Sequence, residues 1–268
     1  MDQYIVPALL SLLAGLSTGL GGLIVYVSLQ DKRAVLSLGL GFSAGVMLYI
    51  SFVELLASAE ESLTSYYVAA GSWITLAGFF GGMGLIALID RLVPEAENPH
   101  DAIILPDADS RTTEPDLGEH RLMRMGILTG VAIAIHNFPE GMATFVAALA
   151  EPTRGVSVAI AIAIHNIPEG IAVALPIYYA THNRRKALWL SVLSGATEPV
   201  GAFLGYALLR LILPEHAMGV IEAAVAGIMV FISLDQLIPN AHAYNKGHLP
   251  MWGMVGGMAV MALTLVIL

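Results

Sequence analysis

Apolar positions in this chain gather into long runs, with polar residues confined mostly to short intervals between them. Eight runs carry few or no charges: 5–29, 34–53, 66–89, 125–150, 155–180, 187–209, 217–238 and 249–268. Each has about 20 residues or more, enough to cross a hydrocarbon core of about 30 Å as a helix. None alternates apolar and polar residues with the period of two that a membrane barrel requires, so helices satisfy the backbone in lipid. The pattern predicts an all-α polytopic membrane protein with eight transmembrane helices. The first run follows "MDQY", which lacks the basic start of a cleaved signal, so it is read as a retained helix.

The polar intervals divide the chain further. Residues 1–94 carry helices one to three, 95–121 form one long acidic, proline-containing loop, and 122–268 carry helices four to eight, all within one integral membrane domain. An internal repeat pairs "AGVMLYISFVELL" from Ala44 with "AGIMVFISLDQLI" from Ala226, aligning Gly45 with Gly227, Met47 with Met229 and Ser51 with Ser233. These segments lie in helices two and seven, which cross in opposite directions. Helices one to three are therefore expected to form an inverted repeat with six to eight, around antiparallel helices four and five. Inverted repeats of this kind place transporter sites near the bilayer midplane.

Charge adds the orientation. Of twelve Lys and Arg residues, ten fall in alternate intervals: Lys32, Arg33, Arg91, Arg111, Arg121, Arg124, Arg184, Arg185, Lys186 and Lys246. Only Arg154 and Arg210 fall on the opposite side. The positive-inside rule then puts both termini outside the cytoplasmic (inner) membrane, with a multi-pass chain between them. The net charge of −9 speaks against a nucleic-acid partner. No phosphate-cradling Gly-rich Lys-Ser/Thr motif is present, so no nucleotide is expected. With no cysteine, thiolate metal sites and disulfides are excluded.

The ionisable residues inside the runs carry the chemistry. "HNFPEG" begins at His136 in helix four and "HNIPEG" at His165 in helix five. Each His and Glu pair, His136 with Glu140 and His165 with Glu169, is spaced i, i+4 and shares one helical face with Asn137 or Asn166. Glu198 stands at a similar depth in helix six. A charge at the bilayer centre costs on the order of 3 kcal/mol or more, which makes such residues functional candidates by default. Imidazole, amide oxygen and carboxylate without thiolate suit Zn²⁺, Fe²⁺, Mn²⁺, Co²⁺ and Cd²⁺. Pro139 and Pro168 each remove one backbone hydrogen bond, predicting bent and locally unwound helices, while Gly141 and Gly170 permit close helix approach.

These motifs, with "SGATEPVG" around Glu198 and the paired "AGVMLYIS" and "AGIMVFIS" segments, resemble those of the ZIP (Zrt/Irt-like) divalent metal transporters over nearly the whole chain. The resemblance implies a binuclear midmembrane centre. His136, Glu140, Glu169 and His165 would form one site, and Asn137, Asn166 and Glu198 a second that shares the bridging glutamates. Met47 matches a methionine that contacts metal in some relatives. Some branches have Gln-Asp where this chain has His165 and Asn166. The resemblance further implies a homodimer and an elevator-like movement of helices one, four, five and six against a scaffold of two, three, seven and eight. The metal would be transported substrate, with no cofactor and no enzymatic activity.

Glu54, Glu60 and Glu61 are placed at or just beyond the outer end of helix two, and Asp235 near the inner end of helix seven. Glu54, Glu61 and Asp235 are therefore candidates for the entry and release path. His100, Asp101, Asp107, Asp109 and His120 in the loop read as an ordinary polar segment rather than a rigid site. The alternative to import of Zn²⁺ and related ions is a membrane-embedded two-metal oxidoreductase of the di-iron type. Such centres use Glu-x-x-His, whereas this chain has His-x-x-x-Glu.

Overall fold

A computed structural model describes residues 2–27, 33–92, 115–207, 218–245 and 247–267. The helices are α1 (Asp2–Val27), α2 (Arg33–Ile50), α3 (Leu56–Tyr67), α4 (Ala69–Leu92), α5 (Pro115–Ala150), α6 (Pro152–Thr181), α7 (Arg184–Gly195), α8 (Thr197–Val200), α9 (Met218–Ile232), α10 (Ile238–Tyr244) and α11 (Leu249–Ile267). Wider π segments at Ser51–Leu55, Gly201–Gly205 and Ser233–Leu237 interrupt the second, sixth and seventh membrane passages. No strand occurs among the described residues. The protein is an all-α polytopic membrane protein.

The way α1 divides its surface shows how the bundle is built. Leu9, Leu13, Leu16 and Leu20 recur at helical spacing and are exposed, facing where lipid would lie. The opposite face buries Ser11, Ala14, Ser17 and Thr18 against α5, α6 and α7. In lipid, apolar contact does not drive helices together, so small residues that admit close backbone packing select the buried face.

Two groups of helices result. One contains α1, α5, α6 and the α7–α8 passage with its π segment. The other contains α2 and α3, α4, α9 and α10, and α11. They meet chiefly where α2 lies on α6. Within the second group, Gly45 brings α2 against the Met254 carbonyl of α11, and Gly227 brings α9 against the Phe79 carbonyl of α4. Thus the glycines paired in the sequence repeat make equivalent contacts, helix two with eight and helix seven with three. Ser51 and Ser233, also paired, each begin a π segment.

Several boundaries differ from the hydropathy reading. Helix two does not end near residue 53; it continues through α3 to Tyr67, because Leu, Ala and Glu sustain a helix after the apolar run has ended. Val68, with φ of 51°, makes the one-residue reversal into α4. The helix carrying "HNFPEG" begins at Pro115, so the last residues of the expected 95–121 loop are helical. Helix seven similarly continues past 238 to Tyr244.

The expected unwinding at Pro139 and Pro168 is not observed: α5 and α6 remain helical through both. A proline removes one hydrogen bond, and a helix packed among neighbours tolerates that locally. Breaks occur instead at the π segments and at Ala196, immediately before Glu198.

Candidate metal site

Three passages deliver the candidate ligands. Helix α5 carries Asn137 and Glu140, α6 carries His165, Asn166 and Glu169, and α8 presents Glu198 just beyond the break at Ala196. All six side chains are at most 1% exposed. Glycine next to a glutamate brings these helices close. A side chain on Gly141 would meet the Glu198 carbonyl, and one on Gly170 would meet the Thr18 carbonyl of α1.

The two motif copies interlock across the antiparallel α5–α6 hairpin, which turns at Glu151. His165 Nε2 lies 3.0 Å from Glu140 Oε1, so the imidazole of one copy bonds the carboxylate of the other. Ser43 on α2 donates its hydroxyl to Glu169 Oε1 at 3.3 Å. Asn166 Nδ2 donates to Glu198 Oε2 at 2.8 Å and to the Ala14 carbonyl at 3.1 Å. Asn137 Nδ2 donates to the Ser194 carbonyl at 3.3 Å. These bonds fix both amides with their nitrogens turned to the protein. The remaining oxygens, Asn137 Oδ1 and Asn166 Oδ1, are buried and lack a hydrogen-bond partner, as does Glu198 Oε1.

Glu198 also lies within electrostatic reach of Glu140 and Glu169. Three buried carboxylates therefore share one region. The segments 125–150, 155–180 and 187–209 that carry them contain no Lys or Arg. Burying an ionised carboxylate costs several kcal/mol unless a counter-charge compensates. A proton or a cation would supply that compensation, and nitrogen and oxygen donors of this type suit a borderline divalent metal.

Among the described residues, no three His, Asp or Glu side chains are already gathered around one metal position. The ligands instead bond one another, as His165 does Glu140 and Asn166 does Glu198. Coordination of an ion would exchange these hydrogen bonds for metal bonds.

The other sequence candidates are distributed differently. His136 lies on α5, but its side chain is outside the described residues. Met47 on α2 is completely buried within the apolar core. Glu61 is exposed on α3, and Asp235 is exposed within the π segment Ser233–Leu237. Glu54 is half-buried and ion-paired with Arg154. His100, Asp101, Asp107 and Asp109 are outside the described residues, as is the side chain of His120.

Ser43, Arg154 and Glu222 join polar networks that the sequence motifs did not mark. Glu222 carried a signal, being an acid inside the apolar run 217–238. Arg154 stood out only as one of two basic residues on its side, and Ser43 had no distinguishing neighbour.

A helical membrane bundle with buried, neighbouring carboxylate, amide and imidazole side chains belongs to the class of integral membrane proteins suited to handling metal cations. Comparison with known proteins narrows the class, since the family described as ZIP Zinc transporter matches residues 94–265. Zinc transporter ZupT of Lysinibacillus sphaericus is 54% identical over 270 residues, covering 100% of both chains. The proteins of the same name from Clostridium perfringens and Streptococcus mutans are 48% and 49% identical, covering 100% of this chain and 97% and 99% of theirs. This chain belongs to the ZIP family of zinc transporters. Membership of a transporter family removes the two-metal oxidoreductase alternative, and makes the metal a substrate rather than a cofactor.

Proposed function

We propose that this protein is a secondary transporter that carries Zn²⁺, and with it Fe²⁺, Mn²⁺, Co²⁺ and Cd²⁺, across the cytoplasmic membrane into the cell. The observation that carries the proposal is the burial of Glu140, Glu169 and Glu198 in segments without Lys or Arg. The unpartnered oxygens of Asn137, Asn166 and Glu198 supply further donors in the same region. His136, Glu140, His165 and Glu169 form one ion position. Asn137, Asn166 and Glu198 complete a second, with Glu140 and Glu169 bridging. Met47 lies beside this route, and Glu61 and Asp235 lie toward its ends.

The ions move down their electrochemical gradient. An inside-negative potential contributes about 2.3 kcal/mol per charge per 100 mV, favouring dication entry. The division into two helix groups supports movement of α1, α5, α6 and α7–α8 against a scaffold that also forms a homodimer, with both termini outside. The paired glycine contacts and π segments support the inverted repeat beneath this arrangement.

The test is Zn²⁺ flux into liposomes containing purified protein, with competition by Fe²⁺, Mn²⁺, Co²⁺ and Cd²⁺. Glu140→Ala and Glu169→Ala should each abolish flux. Wild-type rates in both variants would refute the assignment.

A further inference from the structure

Arg154, near the start of α6, connects the two helix groups. Its Nε lies 2.5 Å from Glu54 Oε1 in the π segment after α2, and its Nη2 lies 3.6 Å from Glu222 Oε1 on α9. Ser58 on α3 donates to Glu222 Oε2 at 2.9 Å, anchoring that carboxylate within its own group. The Arg154 and Glu54 side chains are 18% and 22% exposed, and Glu222 is more deeply buried. One arginine is thus hydrogen-bonded to one carboxylate and ion-paired at longer range with a second, both contributed by the opposite group. The wall of the groove between α5 and the α4–α9 pair is made differently. This space of about 650 Å³ is lined by side chains including Val131, Ile135, Met142, Ile86, Val220 and Ile228. Apolar walls of this kind carry no directional bond and can slip past one another in lipid. The Arg154–Glu54 hydrogen bond is directional, and withdrawing the guanidinium leaves the buried Glu222 carboxylate without its counter-charge.

We propose that Arg154 is a positioning residue of the transport cycle: by clasping Glu54 and Glu222 it fixes the start of α6 to the scaffold and closes the route to the buried carboxylates from the side of the α5–α6 turn. Opening to that side requires the guanidinium to leave both partners. Positive-inside counting assigns this side to the exterior, so the clasp governs arrival of the ion. The inference rests on the transport reading above. Thr144 lies on this approach, one turn beyond Glu140 toward the Glu151 turn, and is fully buried.

The absence of cysteine makes a direct test possible, because Thr144→Cys would introduce a single thiol. The full chain is reconstituted in liposomes without metal and treated from the exterior with a membrane-impermeant maleimide. Arg154→Ala and Glu222→Gln should accelerate labelling about tenfold or more by shifting the population toward an open exterior. Arg154→Lys should retain most of the protection.

Hydrogen–deuterium exchange of residues 140–150, with and without Arg154→Ala in the cysteine-free chain, provides a second readout if the introduced thiol is not tolerated. Size-exclusion chromatography identifies misfolded variants. Glu222→Gln, which preserves side-chain volume, remains informative if the arginine variant does not fold. Unchanged labelling and exchange in folded variants would overturn the proposal. Loss of the transport reading would appear separately, as absent Zn²⁺ flux in the unsubstituted protein.

Discussion

His165 and Glu140 come from different copies of one motif and meet 3.0 Å apart, imidazole Nε2 to carboxylate Oε1. A metal entering between them takes the place of the proton held there, which either leaves the protein or moves to the imidazole Nδ1. A proton that leaves is seen as a dependence of the Zn²⁺-binding enthalpy on the buffer's ionisation enthalpy. His165→Ala should bind Zn²⁺ on the order of tenfold or more weakly, measured by calorimetry. An unchanged Zn²⁺ affinity in that variant would show that this nitrogen is not a ligand.

Glu140→Gln keeps the volume of the side chain but removes its charge. We expect Zn²⁺ flux to fall on the order of 100-fold, with the fold intact by circular dichroism. Glu169→Gln should behave alike, because both carboxylates lie in segments without Lys or Arg.

Asn166 holds Glu198 through a 2.8 Å hydrogen bond, and its replacement by Ala would leave a buried carboxylate without that donor. The metal-free protein should lose about 1–3 kcal/mol of stability. Saturating Zn²⁺ should recover much of it by compensating Glu198 directly. Thermal melts with Zn²⁺ and with a chelator measure both effects; equal losses under the two conditions would contradict the expectation.

Gly141 faces the Glu198 carbonyl so closely that a methyl group would have to separate α5 from α8. Gly141→Ala should destabilise by about 1–3 kcal/mol and depress Zn²⁺ uptake. Gly84→Ala is the control, because a side chain there meets open space. Equal melting temperatures for the two variants would count against this contact.

Legibility in the sequence followed the range of the interactions. The membrane passages were readable because a charge-free run long enough to cross lipid has few alternatives. The candidate ligands stood out because His136, Glu140, His165 and Glu169 repeat at one spacing, and Gly141 and Gly170 pack as their place beside the glutamates predicted. Arg154 and Glu54 were not readable as a pair, being separated by 100 residues and joined only by the packing of α6 on α2. Continuation of helix two to Tyr67 was missed because hydropathy marks where lipid contact ends, whereas helix formation depends on backbone preference. The prolines misled for a related reason: loss of one hydrogen bond is a local cost, and the surrounding helices decided whether the axis opened.

The π segment Ser51–Leu55 makes the length of this passage as consequential as its composition. A wide turn takes up an additional residue, whereas each residue of an ordinary helix advances the surface by about 100°. Deleting one residue here would restore a regular helix and leave α3 in phase with α2, because the wide turn holds the residue that is lost. Ser43 would still face Glu169, and Ser58 would still reach Glu222. Single-residue deletions along residues 34–67 should thus be sensitive to position: a loss inside the wide turn is absorbed, whereas the same loss in the regular helix on either side turns one end of the passage by about 100° relative to the other.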